Sequence, residues 1–110
     1  MFSSCDTSNL GIRNRCILEL LYATGMRVGE LVNIKLNDID LKEKYIKILG
    51  KGNKERIVYF GDYAKEYLEK YIYEVRDSLL KNKKSDYLLI NNSGTNLSSR
   101  GVELIIKNII

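Results

Sequence analysis

The stretch from Leu20 to Leu31 holds the residues best suited to chemistry, and Arg27 stands at its centre. Gly25 and Gly29 flank this arginine, and glycines let a backbone come close to a bulky group. Glu30 follows three residues later, a spacing at which a carboxylate can hold a guanidinium in one orientation. A planar guanidinium suits a bidentate grip on phosphate oxygens, which a lysine cannot reproduce. Although an arginine taken alone is usually a solvated surface residue, this neighbourhood predicts a phosphate clamp.

A second basic feature lies between positions 42 and 56, where six basic residues outnumber two acidic ones. The loop from Gly50 to Lys54 has the length and glycine content that join antiparallel strands, so Lys51 is expected at an exposed tip. A lysine in such a turn is ordinarily a solubility residue. A basic hairpin can instead enter a nucleic-acid groove, where each phosphate contact adds salt-dependent affinity. The basic residues are Lys42, Lys44, Lys47, Lys51, Lys54 and Arg56, and the acidic ones are Glu43 and Glu55.

The periodicity of apolar residues predicts the elements that position these side chains. The predicted class is α+β, with helices packed on a small three-stranded antiparallel sheet. Turn and cap residues separate the elements, since Gly25 favours a helix end and Ser98 a helix start. The predicted elements are a helix capped by residues 6–9 and ending at Thr24, a short helix from Met26, strands Tyr45–Leu49, Ile57–Phe60 and Tyr87–Ile90, a helix over 62–81, and a last helix capped by Ser98.

Length and composition limit the classes of protein. At 110 residues and 45% apolar content, the chain is expected to form one domain with a modest core. Cys5 and Cys16 are too few for a disulfide framework, and the absence of histidine removes the usual zinc ligand, so we expect no metal and no cofactor. No apolar run approaches the roughly 18 residues of a membrane span. We therefore expect a cytoplasmic protein without membrane contact, whose net charge of +4 permits binding to nucleic acid.

The segment from Leu20 to Leu31, followed by Asp-Ile-Asp at 38–40 and Gly-Lys-Gly-Asn-Lys-Glu-Arg at 50–56, resembles the tyrosine recombinase (phage integrase) family, particularly its Xer-type members. The motif at 20–31 and the motif at 50–56 occur in the order and at the spacing of that family. The resemblance runs from about Leu10 to the end of the chain. It implies DNA cleavage and rejoining through a 3′-phosphotyrosine intermediate, with double-stranded DNA and other recombinase protomers as partners.

The resemblance also implies roles for individual residues. Arg27 matches the first catalytic arginine, which grips the non-bridging oxygens of the scissile phosphate, and Glu30 matches its supporting acid. Lys51 matches the hairpin lysine, which is the general acid toward the departing 5′-hydroxyl and touches bases in the minor groove. These roles agree with the needs of a phosphoryl transition state. The residues expected to contact DNA are Lys51, Asn53, Lys54, Arg56, Ser98, Ser99 and Arg100.

The sequence departs from the family in its missing parts. Members of the family continue with a His-x-x-Arg box and a nucleophilic tyrosine, whereas this chain has no histidine and none of its eight tyrosines stands at a matching position. We therefore expect residues 1–110 to be the first part of a catalytic domain, inactive alone. Two alternatives stay open. The first alternative is a non-catalytic DNA-binding module. The second is a protein-interaction module that uses the apolar end of its last helix.

Overall fold

The computed structural model describes residues 8–109, and within them no helix is both long and apolar enough to cross a bilayer. Two helices are followed by three strands and then by further helices. The elements are α1 (Asn9–Thr24), α2 (Val28–Leu31), β1 (Ile39–Asp40), β2 (Tyr45–Leu49), β3 (Glu55–Tyr59), α3 (Asp62–Lys70), a π-helical turn (Tyr71–Val75), α4 (Arg76–Leu80) and α5 (Ser99–Ile109), with 3₁₀ turns at Leu36–Asp38 and Lys51–Asn53.

Local signals set both ends of α1, as the sequence predicted. The Ser8 hydroxyl oxygen accepts a hydrogen bond from the Gly11 amide at 3.1 Å, which caps the first turn. Gly25 ends the helix with φ of 67°, a left-handed conformation that glycine adopts without strain. Cys16 and Leu20 are fully buried on its inner face. The cap at Gly25 therefore starts the turn that carries Arg27.

The sheet confirms the predicted α+β class, because among the described residues three antiparallel strands pair in the order β1, β2, β3, and helices α1 and α2 pack against them. Strand β2 has the predicted bounds, and β3 begins at Glu55, two residues before the expected start. Ile46 and Ile48 on the inner face are buried. The register places Ile46 opposite Val58 and Ile48 opposite Arg56.

The predicted strand Tyr87–Ile90 is wrong, because the third strand of the sheet is Ile39–Asp40. Residues 87–90 form only isolated bridges, which join Tyr87 to Lys35 and Ile90 to Asn96. The segment is buried and extended, as its β-type composition predicts. The carbonyls of Tyr87, Leu88 and Ile90, however, accept hydrogen bonds from side chains, and the Leu89 carbonyl accepts from the Leu97 amide.

Three side chains supply those hydrogen bonds. Arg76 is buried and donates to the carbonyls of Ser85, Tyr87 and Leu88 at 2.5–3.2 Å. The Tyr71 hydroxyl donates to the Leu88 carbonyl at 2.7 Å and accepts from the Ile90 amide at 3.0 Å. The buried guanidinium of Arg13 donates to the Ile90 carbonyl at 3.2 Å. Buried backbone groups must be paired, and here side chains replace a ladder.

The predicted helix over 62–81 is present as three consecutive segments, α3, the π-helical turn and α4. Tyr71 begins the π-helical turn and is fully buried, which confirms its predicted place in the core. Tyr63 and Tyr73 are instead 77% and 71% exposed, so the prediction that this helix packs its tyrosines in the core or at its boundary does not extend to them. The widened turn places the Tyr71 hydroxyl between Leu88 and Ile90.

Helix α5 begins as predicted. The Ser98 hydroxyl oxygen accepts from the Gly101 amide at 3.0 Å, and the flanking Leu97 and Val102 are both buried. Helix α5 packs against α1 and α2. Backbone hydrogen bonds from Leu88 to Ile34 and from Leu97 to Leu89 connect the chain that leaves α2 with the start of α5.

We predict that Tyr71→Phe lowers the free energy of unfolding by about 1–3 kcal/mol, because the Leu88 carbonyl and Ile90 amide lose a buried partner. Urea unfolding of the chain at neutral pH measures this. Tyr73→Phe is the matched control, and since Tyr73 is exposed its expected effect is within about 0.5 kcal/mol. Equal effects of the two substitutions would contradict the assigned role of the hydroxyl.

Candidate nucleic-acid interface

Arg27 lies in a short turn between α1 and α2 that side chains hold in place. The Thr24 hydroxyl donates to the Leu20 carbonyl at 2.8 Å and accepts from the Met26 amide at 3.2 Å. Met26 is buried, which anchors the turn in the core. Arg27 follows as the extended N-cap residue of α2, with φ −79° and ψ 153°. Helix α2 begins at Val28, two residues after the predicted start, so Arg27 precedes the helix.

The guanidinium of Arg27 is exposed, and no side chain among residues 8–109 forms a hydrogen bond or ion pair with it. The carboxylate of Glu30 was expected to contact this guanidinium, but it forms its hydrogen bonds with other groups. One carboxylate oxygen of Glu30 accepts from the backbone N–H of Arg27 at 2.9 Å, as the reciprocal contact of an N-terminal capping box. The expectation that Glu30 orients the Arg27 side chain is therefore wrong. Glu30 fixes the backbone of Arg27, and among residues 8–109 no carboxylate forms an ion pair with the Arg27 guanidinium.

The side-chain partner of Glu30 is Arg56 on β3. The two arginine terminal nitrogens donate to the two carboxylate oxygens at 2.5 and 3.0 Å, which is a bidentate pair. The Glu30 side chain is 13% exposed and that of Arg56 48% exposed. The pair joins the arginine turn to the second strand of the hairpin, 26 residues further along the chain.

These hydrogen bonds lower the pKa of Glu30 to about 2. The contact with the Arg56 guanidinium is the largest cause, followed by the bond from the Arg27 amide. The same pair raises the pKa of Arg56. Glu30 therefore stays ionised and paired at every physiological pH.

The hairpin tip is basic and exposed, as predicted. Residues 51–54 are all exposed, and the Gly50 amide donates to the Lys54 carbonyl at 2.8 Å, which closes the loop. Gly52 and Asn53 both have left-handed backbone angles, with φ of 74° and 59°. Two consecutive residues of this kind turn the chain sharply, and the side chains of Lys51 and Lys54 extend from the turn into solvent.

Gly50 connects this tip to the ion pair. A Cβ atom at Gly50 would lie 3.3 Å from an Arg56 guanidinium nitrogen and 3.5 Å from a Glu30 carboxylate oxygen. The backbone beside Lys51 is therefore packed against the Glu30–Arg56 pair. The structure brings Arg27, Glu30, Arg56 and the base of the Lys51 loop into one group, which we call the arginine-hairpin site.

A groove of about 490 Å³ lies beside this site, between the hairpin and the chain that leaves α2. Its lining includes Glu30, Gly50 and Asn53. The groove carries charges of both signs, from Lys35, Lys47, Asp38 and Glu55 in addition to Glu30. Within residues 8–109, no three acidic, cysteine or histidine side chains are grouped closely enough to hold a metal ion.

Ser98, Ser99 and Arg100 lie outside this group. No hydrogen bond or ion pair among the described residues joins them to Arg27, Glu30 or Arg56, and the connection is the packing of α5 on α2. The Ser98 hydroxyl is exposed and already accepts from the Gly101 amide. These three residues stay predicted DNA contacts.

The ion pair of Arg56 with Glu30 was missed from the sequence, where Arg56 was expected to contact DNA from the basic hairpin. The signal that could have found it is the strand register. A loop at Gly50–Lys54 places Arg56 opposite Ile48, on the face of the sheet that points inward. From that face the half-exposed arginine side chain reaches α2, where Glu30 supplies a carboxylate.

The sequence pattern that defines the phage integrase family matches residues 1–110. The chain belongs to the phage integrase family. It is 46% identical to tyrosine recombinase XerC of Staphylococcus epidermidis over 111 aligned residues, which cover all of this chain and 37% of XerC. It is 48% identical to tyrosine recombinase XerD of Oceanobacillus iheyensis over 103 residues, which cover 93% of this chain and 35% of XerD. The resemblance seen in the two sequence motifs is confirmed.

Solved structures of phage integrase relatives share this fold. The crystal structure of XerA recombinase matches with a TM-score of 0.79 and 34% identity, over 89% of this chain and 35% of XerA. XerH site-specific recombinase bound to palindromic difH substrate, in a post-cleavage complex, matches with a TM-score of 0.74 and 28% identity, over 98% of this chain and 33% of XerH. This phage integrase chain spans about a third of the length of the relatives it matches.

We predict that the ion pair makes the stability of this phage integrase chain depend on pH between about 4.5 and 2. The pKa of Glu30 falls from 4.5 to about 2 on folding, so its stabilising contribution is complete above 4.5 and is lost as pH falls toward 2. Urea midpoints of wild type and Glu30→Gln should therefore differ at neutral pH and converge across that range. Two curves that stay parallel from pH 6 to pH 2 would contradict the pairing.

Proposed function

We propose that this chain is the DNA-binding first part of the catalytic domain of a site-specific tyrosine recombinase, which cuts and rejoins DNA through a 3′-phosphotyrosine intermediate. One observation carries the proposal. The exposed guanidinium of Arg27 has no counterion among the described residues, while the adjacent carboxylate of Glu30 is committed to Arg56. A guanidinium left in this state beside a basic hairpin suits a phosphate ligand.

Arg27 grips the non-bridging oxygens of the scissile phosphate in this proposal, and its surroundings leave room for that contact. A Cβ atom at Gly29 would meet no atom of the described residues within 4 Å, so no packing contact among them requires a glycine there. A glycine inside a helix costs about 1 kcal/mol relative to alanine. The bare backbone at Gly29 is consistent with the close approach of a DNA strand next to Arg27.

Lys51 is the general acid toward the 5′-hydroxyl leaving group. It is exposed on the loop, and the packing of Gly50 against the ion pair keeps that loop beside Arg27. The transition state needs cationic donors at the phosphate oxygens and a proton for the leaving oxygen. Arg27 and Lys51 supply these two functions from two elements that Glu30 and Arg56 hold together.

The proposed partners are double-stranded DNA and, in a longer recombinase, other protomers of the same kind. The relative XerH is bound to a palindromic difH substrate, and the same binding mode is proposed for this chain. A protein that acts on chromosomal or phage DNA works in the cytoplasm. The proposed DNA contacts beside Arg27 and Lys51 are Asn53, Lys54, Ser98, Ser99 and Arg100.

The 110 residues alone are proposed to be catalytically inactive. The chain matches about a third of its relatives and has no histidine, and no tyrosine stands where the family places the nucleophile. Groups of this kind act as a unit, so the two that remain leave little rate enhancement. The alternative is a non-catalytic DNA-binding or protein-interaction module, and for the latter the 47% exposed Leu104 on α5 is the supporting observation.

We predict that the chain binds duplex DNA with an affinity that falls steeply with salt. Lys51→Ala combined with Lys54→Ala should weaken binding and reduce the slope of log affinity against log salt by about 2, because two phosphate contacts are lost. Fluorescence anisotropy with a labelled duplex from 50 to 200 mM salt measures the slope.

The control for that experiment is Lys65→Ala combined with Lys70→Ala on α3, where Glu66 and Glu69 balance the lysines. It removes the same charge but should leave the slope unchanged. Equal slope changes for both double variants would indicate a general charge effect and remove the hairpin as the contact. Absence of duplex binding at every salt concentration would favour the protein-interaction module.

We predict that the chain forms no covalent adduct with DNA. A suicide substrate, nicked so that cleavage traps the 3′-phosphotyrosine, should give no shifted band on a denaturing gel. Full-length XerC of Staphylococcus epidermidis on its own site is the positive control. An adduct formed by the 110-residue chain would show that it contains its own nucleophile and would overturn this part of the proposal.

A further inference from the structure

We propose that Arg56 is a positioning residue, which occupies the Glu30 carboxylate so that the Arg27 guanidinium stays available to phosphate and the Lys51 hairpin stays against the Arg27 turn. The consequence for DNA rests on the proposed function. The role is distinct from a direct DNA contact, which was the expectation for Arg56 from its place in the basic hairpin.

The geometry of the sheet directs Arg56 inward. Directly opposed residues of paired strands point to the same face, and Arg56 is opposite Ile48, which is 2% exposed. Lys47 and Ile57 share the outer face. From the inner face the guanidinium reaches Glu30 on α2, whereas Lys51 and Lys54 extend from the loop tip into solvent.

Charge explains why Glu30 needs this partner. Glu30 lies close enough to Arg27 that the positive charge of Arg27 contributes to the lowered pKa of Glu30. An unpaired carboxylate there would attract the Arg27 guanidinium and compete with a phosphate for the same donors. Because both carboxylate oxygens accept from Arg56, and one also accepts from the Arg27 amide, Glu30 has little capacity left for the Arg27 side chain.

The same pair holds the hairpin. Glu30 and Gly50 both line the groove, and the Arg56 guanidinium lies beside both. The pair thus connects α2 with the base of the Lys51 loop. Only a planar fork can engage both oxygens at once, so lysine at position 56 would restore the charge but only part of the geometry.

A double-substitution cycle separates positioning from direct contact. Arg56→Gln in the wild-type background should weaken duplex binding about tenfold, the effect of losing one charge-assisted phosphate contact. In the Glu30→Gln background, where no carboxylate remains to capture Arg27, the same substitution should cost less than about threefold. Arg56→Lys should recover part of the loss. An equal loss in both backgrounds would mean that Arg56 contacts DNA directly and would overturn the proposal.

A second readout does not depend on DNA. Titration of the Glu30 side-chain carboxyl by NMR should give a pKa of about 2 in wild type, a value that moves toward 4.5 in Arg56→Gln and lies between the two in Arg56→Lys. Lys44→Gln is the matched control, since it breaks the 2.6 Å pair with Asp62 at the opposite end of β2 and should leave the Glu30 titration unchanged.

The two readouts keep the proposals separable. If the wild-type chain binds no duplex, the proposed function fails, and the titration still decides whether Arg56 holds Glu30. A Glu30 pKa near 4.5 in wild type, or one that Arg56→Gln leaves at about 2, overturns the positioning role whatever the DNA result. Folding of each variant is checked by its cooperative urea transition.

Discussion

The Glu30 carboxylate is the contact on which the arginine-hairpin site depends. It accepts hydrogen bonds from the Arg27 amide and from both terminal nitrogens of Arg56, and so joins two segments that lie 26 residues apart. The Arg56 side chain is about half exposed, so solvent screening reduces but does not remove the contribution of the pair to stability. Its importance is geometric, because it fixes the backbone of one cationic residue and the base of the loop that presents another. Within residues 8–109 no hydrogen bond or ion pair joins the two catalytic candidates, Arg27 and Lys51, and the Glu30–Arg56 pair connects the segments that carry them.

The arginines of the chain show how one residue type is used in different ways. Arg13 and Arg76 are buried and donate to carbonyls of the segment from Ser85 to Ile90, which lacks a neighbouring strand. Arg56 is paired with the Glu30 carboxylate. The Arg27 guanidinium is exposed and forms no hydrogen bond or ion pair within residues 8–109. The proposed functional arginine therefore differs from the others in that its neighbouring carboxylate is paired with another group, a difference that the residue type alone does not reveal.

Sequence reasoning succeeded where the signal was local. The caps at Ser8, Gly25 and Ser98 and the bounds of β2 follow from residue types within a few positions, because caps and turns are satisfied by their own neighbours. The prediction of the third strand failed because composition marks Tyr87–Ile90 as extended. It does not show that the side chains of Tyr71 and Arg76 form hydrogen bonds with the backbone of this segment. The prediction that Glu30 pairs with the Arg27 side chain failed for a similar reason. Spacing along one helix suggested the Arg27 side chain, whereas strand register brought Arg56 closer. Two motifs were enough to identify the family, whereas the pairing of Glu30 with Arg56 depends on contacts between segments that lie far apart in the sequence.

Native-state hydrogen exchange at the Gly50 amide tests the central claim most directly. This amide donates to the Lys54 carbonyl at the base of the hairpin loop, beside the Glu30–Arg56 pair, and the Phe60 amide closes the opposite end of the strand pair on the Lys44 carbonyl. If the pair holds the hairpin to the Arg27 turn, Gly50 exchanges several times faster in Arg56→Gln than in wild type, while Phe60 exchanges at the same rate in both. Unchanged exchange at Gly50 would show that the hairpin keeps its position without the pair and would contradict the account.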